Sequence, residues 1–254
     1  FWIKKFRDWG VTRIQLGLQH TDNNILKKVN RGHDLECAVE TIKLLKDNCF
    51  KIDLHLMPDL PFTTPEMDKK IIKEIRHYSD KLIRVDANEG WHPDSALELC
   101  KWLADYNVEF VEQPFPADQL EKTAKLKENS PLPLYADENS LNSNDIPNIA
   151  YAFDGINIKL MKCGALEEGK RMINQARFYD LKVMLGCMVE SSVGISAAAQ
   201  LLSGIDVADL DGNLLINNDP YNGISVEKGR LKIGNGNGLG LELKQENKNV
   251  GGLS

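Results

Sequence analysis

Three acidic residues sit at matched spacing in the middle of the chain. They are Asp86 in Arg-Val-Asp-Ala-Asn, Glu112 in Val-Glu-Gln-Pro and Asp137 in Ala-Asp-Glu, 26 and 25 residues apart. Each closes a short aliphatic run of strand character, and the spacing is that of one strand–helix step. On neighbouring parallel strands the three carboxylates share one end of a sheet, where they repel one another. A hard divalent cation resolves that repulsion, and an all-oxygen donor set favours Mg²⁺ over zinc. The competing reading is three unrelated strand-end acids that cap helices. Lys159 lies on a later strand and points the same way by alternation. A lysine there abstracts a proton only if its pKa is lowered, as desolvation and a nearby cation both do. The cation would stabilise the enediolate left when a proton leaves a carbon beside a carboxylate. Otherwise Lys159 is a structural counter-charge to the acids. Asp209 and Asp211, in Asp-Leu-Asp-Gly, suit the ammonium group of a ligand or form a capping turn.

These residues need elements to position them. Eight short runs read as strands: 13–18, 51–57, 82–87, 110–112, 132–137, 156–160, 182–188 and 207–210. Amphipathic stretches lie between them, with apolar stripes over 97–103, 120–126 and 172–178. Eight such steps point to an α/β fold of the closed (β/α)8 TIM type. A doubly wound open sheet is the alternative. Alternation turns Arg84, Asp86, Asn88, Asn157, Lys159, Met161, Asp209 and Asp211 inward. It turns Ile156, Ile158 and Leu160 toward the helices.

Composition sets the outer bounds. The 254 residues carry a net charge of −6 with 42% apolar residues. That is an ordinary globular balance with no basic nucleic-acid footprint. No apolar run is long enough to span a membrane. No signal peptide is visible, and a cytoplasmic location is expected. The five cysteines include no C-x-x-C pair, so free thiols are expected rather than a disulfide framework or zinc site. The chain starts at Phe1 and reads as truncated there. Gly234–Gly240 reads as a turn-rich loop, with a phosphate cradle as the lesser option. Residues 244–254 read as a disordered tail.

The segments Arg84–Trp91, Glu112-Gln-Pro, Ala136-Asp-Glu, Asn157–Gly164, Leu185–Ser192 and Asp209–Gly212 closely resemble the enolase superfamily. The nearest branch is the L-Ala-D/L-Glu (dipeptide) epimerases. The resemblance implies an enolase-type barrel over about 69–243, with Asp86, Glu112 and Asp137 holding Mg²⁺. Lys159 would be one of two catalytic lysines. Asp209 and Asp211 would hold the ammonium group of a small dipeptide or acidic substrate, with Cys187 near it. Family members are often oligomeric, so a homo-oligomer is among the options. The family's second base is the last lysine of a Lys-x-Lys motif on the second strand. Here that strand reads Lys51-Ile-Asp53-Leu-His55. Lys51 keeps the first lysine, beside the substrate, and Asp53 stands in place of the base. Epimerisation is therefore expected to be impaired. On this resemblance the chain reads as lacking the N-terminal capping domain that closes the mouth in this family.

Residues 1–68 carry a different resemblance. Val11–His20, Lys27–His33 and His55–Pro61 resemble the radical-SAM domain of Elongator-type tRNA-modifying acetyltransferase proteins. That suggests a chimera in which this βαβ fragment supplies the first two strands. The cysteine triad for an iron–sulfur cluster is absent, so no cluster is expected, and His20 and His33 read as non-ligating. A metal- or ligand-binding barrel without catalysis and a radical-SAM fragment remain as alternative functions.

Overall fold

The computed structural model describes residues 13–48, 50–56, 62–78, 80–216, 218–227, 230–233 and 236–244. The chain divides into two compact units. One comprises 1–82, 105–107 and 226–232; the other comprises 83–104, 108–225 and 233–254.

In the first unit, strand β1 (Arg13–Gln19) pairs in parallel with β2 (Lys51–Leu56), in the register Arg13↔Lys51 through Gly17↔His55. Helices α1 (Asn23–Lys28) and α2 (Leu35–Asp47) lie between them in sequence. Both start at an aspartate whose carboxylate accepts a backbone N–H of the first turn. Asp22 accepts from Asn24 and Asp34 from Cys37, which satisfies otherwise orphaned donors. Leu18, Ile25, Leu26, Ala38, Leu45 and Phe50 are buried. His20 is buried too, and its Nδ1 accepts the Asp22 N–H at 2.8 Å. Helix α3 (Pro65–Tyr78) closes the unit's helices.

The second unit holds a six-stranded parallel sheet. Its strands are β3 (Ile83–Asp86), β4 (Val108–Glu112), β5 (Leu134–Ala136), β6 (Gly155–Lys159), β7 (Lys182–Gly186) and β8 (Val207–Ala208). Their spatial order is their order in the chain, as repeated strand–helix steps produce. The main intervening helices are α4 (Pro93–Ala104), α5 (Leu120–Lys127), α6 (Ile146–Ile149), α7 (Leu160–Cys163), α8 (Leu166–Phe178) and α9 (Ser192–Ala199). Ala96, Cys100 and Leu103 of α4 and Met172, Ile173 and Ala176 of α8 are buried, one stripe per helix. The eight expected strands all occur, with ends shifted by up to two residues.

Two layers of side chains arise from strand alternation. Ile156 and Ile158 are fully buried on one face of β6. On the other face of the sheet, Phe110 stacks on Tyr135 with centroids 4.1 Å apart and planes at 16°. Met184 and Val207 pack against this pair. The Arg84 guanidinium lies 5.6 Å from the Phe110 ring centre and bonds Glu109 at 2.7 Å. Alternation fails at Met161. β6 ends at Lys159 and α7 begins at Leu160, so Met161 is 66% exposed rather than turned inward.

Past the sheet, Gly236–Gly240 makes turns, with φ of +64° at Gly238 and +67° at Gly240. The tail from 245 onward lies outside the described residues. The side chains of Lys51, Asp53 and His55 do also, although their strand is described.

Candidate metal and proton-transfer site

Register brings the acids to one end of the sheet. Asp86 and Glu112 are direct partners across β3 and β4. Glu112 pairs with Tyr135, two residues before Asp137, so Asp137 lies one step beyond on the same face. Glu112 and Asp137 are 4% and 2% exposed. Asn157, on β6, donates from Nδ2 to Glu112 Oε1 at 2.6 Å. Lys159, two residues on, places Nζ 2.8 Å from Asp137 Oδ2 and 4.0 Å from Glu112 Oε1. The geometry therefore groups Asp86, Glu112, Asp137 and Lys159.

The supports of this cluster come from residues that the sequence reading did not single out. Gln113 is fully buried in a left-handed turn, φ +38°. Its Oε1 accepts the backbone N–H groups of Asp137 and Asn139 at 2.9 and 3.3 Å. Its Nε2 donates to Phe115 O and Asn139 Oδ1. One neutral amide thus fixes the loop that carries Asp137. Ser140 donates to the Asn157 carbonyl at 3.1 Å, joining β5 to β6. Gly186 leaves room for Asn157, because a methyl there would lie 2.5 Å from Asn157 Oδ1. Lys162 closes on Asp137 Oδ1 at 2.7 Å and lies 3.7 Å from Glu138.

The carboxylates perturb one another. Burial first, then the charge of Asp86, pushes Glu112 up to about 8. Partial desolvation raises Asp86, with Asp137 adding to it and the Asn88 amide opposing. Lys159 departs from expectation. Burial pulls its ammonium down, but the Asp137 hydrogen bond and the charges of Asp137, Glu112 and Asp86 outweigh that and hold it above its ordinary value. The physical reason is that the lysine itself serves as counter-charge in this arrangement.

Does the arrangement suit a divalent cation? The donors are hard carboxylate oxygens on three adjacent strand ends, with one carboxyl pushed far up by burial and like charge. That chemistry fits Mg²⁺. Among the described residues no group of three or more His, Cys, Asp or Glu side chains stands in a ligating arrangement; Asp137 is paired instead with the ammonium groups of Lys159 and Lys162. Asp86, Glu112 and Asp137 fit as ligands if the Lys159 contact to Asp137 is exchanged for the cation.

Cys187, Asp209 and Asp211 form a second group. Cys187 follows β7 and is pushed up to about 11 by burial, with Asp209 and Asp211 adding to the rise. It is a neutral thiol rather than a nucleophile. Gly212 lets the strand-end turn approach Cys187 Sγ, to within 3.2 Å of where a methyl would sit. Asp209 and Asp211 follow β8, and a 3₁₀ turn starts just after Asp211. The four described cysteines, Cys37, Cys100, Cys163 and Cys187, are free. Among the described residues no helix is long and apolar enough to cross a membrane.

Comparison with known proteins gives the family. The family model "Enolase C-terminal domain-like" matches residues 28–247. The chain is 43% identical to the L-Ala-D/L-Glu epimerase of Bacteroides thetaiotaomicron over 175 residues, 68% of this chain and 46% of that protein. It is 35% identical to a hydrophobic dipeptide epimerase of a Flavobacteria bacterium over 252 residues, 95% of this chain and 71% of that protein. The dipeptide epimerase of Enterococcus faecalis V583, complexed with Mg and L-Leu-L-Tyr, superposes with a TM-score of 0.72 at 32% identity. That match covers 91% of this chain and 63% of that one. The chain spans about half the length of the relatives that it matches at highest identity. It belongs to the enolase superfamily and has that superfamily's TIM-type α/β barrel fold.

Proposed function

We propose that this chain carries out Mg²⁺-dependent proton transfer at the carbon beside a carboxylate of a small dipeptide, as a dipeptide epimerase does. The observation that carries the reading is Lys159 Nζ, held among three strand-end carboxylates at 2.8 Å from Asp137 and 4.0 Å from Glu112. Asp86, Glu112 and Asp137 would hold Mg²⁺, which supplies Lewis-acid stabilisation of negative charge on the substrate carboxylate. Lys159 takes the proton once it is released from Asp137, which lowers its basicity toward a useful range. Asp209 and Asp211 receive the ammonium end, beside Cys187. Met161, Met188, Val189 and Leu214 are exposed apolar side chains just past β6, β7 and β8. They favour a dipeptide with an apolar side chain.

With Asp53 where the family places its second lysine, proton return from the opposite face is slow. Exchange at the carbon then outruns inversion. A fusion origin for residues 1–68 rests on three short motifs alone, while the family match begins at residue 28 and one epimerase relative aligns over 95% of the chain.

The test is incubation of single diastereomers of apolar dipeptides with protein and Mg²⁺, resolved by chiral chromatography. Slow appearance of the second epimer supports the proposal. None above a no-protein control, from folded protein, leaves a barrel that binds without turnover.

A further inference from the structure

Asp137 is held by two lysines at once, and the two contacts are not equivalent. Lys159 Nζ donates to Oδ2 at 2.8 Å, on the side where Glu112 Oε1 lies 4.0 Å from the same ammonium. Lys162 Nζ sits 2.7 Å from Oδ1, on the side of Glu138. Both lysine side chains are 13% exposed. They arrive from different elements. Lys159 is the last residue of β6, whereas Lys162 is in the short helix α7. Gly164 ends that helix in a left-handed turn, φ +86°, and its N–H closes on Leu160 O. The Asp137 backbone is fixed separately by Gln113. One oxygen thus shares its ammonium with Glu112 and the other shares its ammonium with Glu138.

We propose that Lys162 is a positioning residue: it anchors Asp137 through Oδ1 and so presents Oδ2 as the single oxygen that Asp137 offers to a divalent cation. Lys159 and the cation then compete for Oδ2, while Lys162 keeps its hold throughout. The inference rests on the reading that these carboxylates bind Mg²⁺. It adds a division of labour between two cations three residues apart: Lys159 exchanges with the metal and Lys162 orients its ligand. A neighbour that merely neutralised charge would do the opposite, because removing any nearby positive charge favours Mg²⁺.

The two ideas differ in sign. Mg²⁺ titration by calorimetry would be run on the whole chain as wild type, Asp137→Ala, Lys159→Met, Lys162→Met and Lys162→Gln, with thermal melts of each. Lys159→Met is expected to bind Mg²⁺ tighter than wild type, its competitor being gone. Both Lys162 variants are expected to bind about tenfold weaker or worse, the usual effect of losing a ligand's supporting contact, despite the lost positive charge. Lys162 variants that bind as tightly as wild type, or tighter, overturn the proposal. Failure of both Lys162 variants to fold also overturns it, since the pair would then be holding the fold rather than the ligand. A folded wild type that binds no Mg²⁺ removes the underlying metal reading instead, and that outcome is separate from any ranking of the lysine variants.

Discussion

Glu112 couples Mg²⁺ binding to pH. It is 4% exposed, accepts the Asn157 amide at 2.6 Å, and is pushed from 4.5 to about 8 by burial first and the Asp86 charge second. At neutral pH the carboxyl in the folded protein is therefore mostly protonated, and a cation ligated there must displace the proton. For one linked proton, apparent affinity should rise about fifty-fold from pH 6 to pH 8 and level off near pH 9. At pH 7 roughly 0.9 proton should leave per Mg²⁺. Calorimetry in two buffers of different ionisation enthalpy reads that number directly. Glu112→Gln should bind more weakly and lose the pH dependence. The same shift acts on folding with a defined sign. The folded state holds the proton more tightly, so this contribution to stability is complete below about 4.5 and is lost as pH rises through about 8. It amounts to at most about 5 kcal/mol. Affinity that stays flat between pH 6 and 8, or a proton count near zero in folded protein, would refute the reasoning.

Other outcomes follow from packing and hydrogen bonding. Phe110→Ala removes a 2% exposed ring stacked on Tyr135 and should cost about 3–5 kcal/mol in urea unfolding; a loss below about 1 kcal/mol would show the stack to be incidental. Gln113→Leu strips the acceptor from Asp137 N and Asn139 N. It should cost about 1–3 kcal/mol and weaken Mg²⁺ as well; unchanged affinity would mean that the loop holds its shape unaided. Gly186→Ala puts a methyl 2.5 Å from Asn157 Oδ1. It should destabilise by about 1–3 kcal/mol and loosen the Asn157 bond to Glu112, read as altered Mg²⁺ affinity at pH 7.

The sheet was legible in the sequence because its strands are short aliphatic runs, and β3, β4 and β6 each end on a charged residue, as in Val108–Glu112 and Gly155–Lys159. The carboxylates were legible from spacing, since equal strand–helix steps in a parallel sheet carry equal offsets to one end. Alternation misled at Met161, because it holds only while the chain stays extended, and the chain turns helical at Leu160. The same turn hid Lys162, which reaches Asp137 only from a helical position. Gln113 escaped because a neutral amide announces nothing by charge. Its role depends on a buried left-handed turn that brings β4 and β5 loops together. The sequence left Lys159 open between base and counter-charge, since its state depends on which oxygen of which acid stands closest.

The most direct test of the account is solvent deuterium entry at the carbon beside the dipeptide carboxylate. It would be followed by proton NMR in D₂O with Mg²⁺, for wild type and Lys159→Ala. The account predicts loss of the proton signal with wild type for one diastereomer and none with Lys159→Ala. Exchange that persists in Lys159→Ala, or none with folded, Mg²⁺-bound wild type, would contradict it.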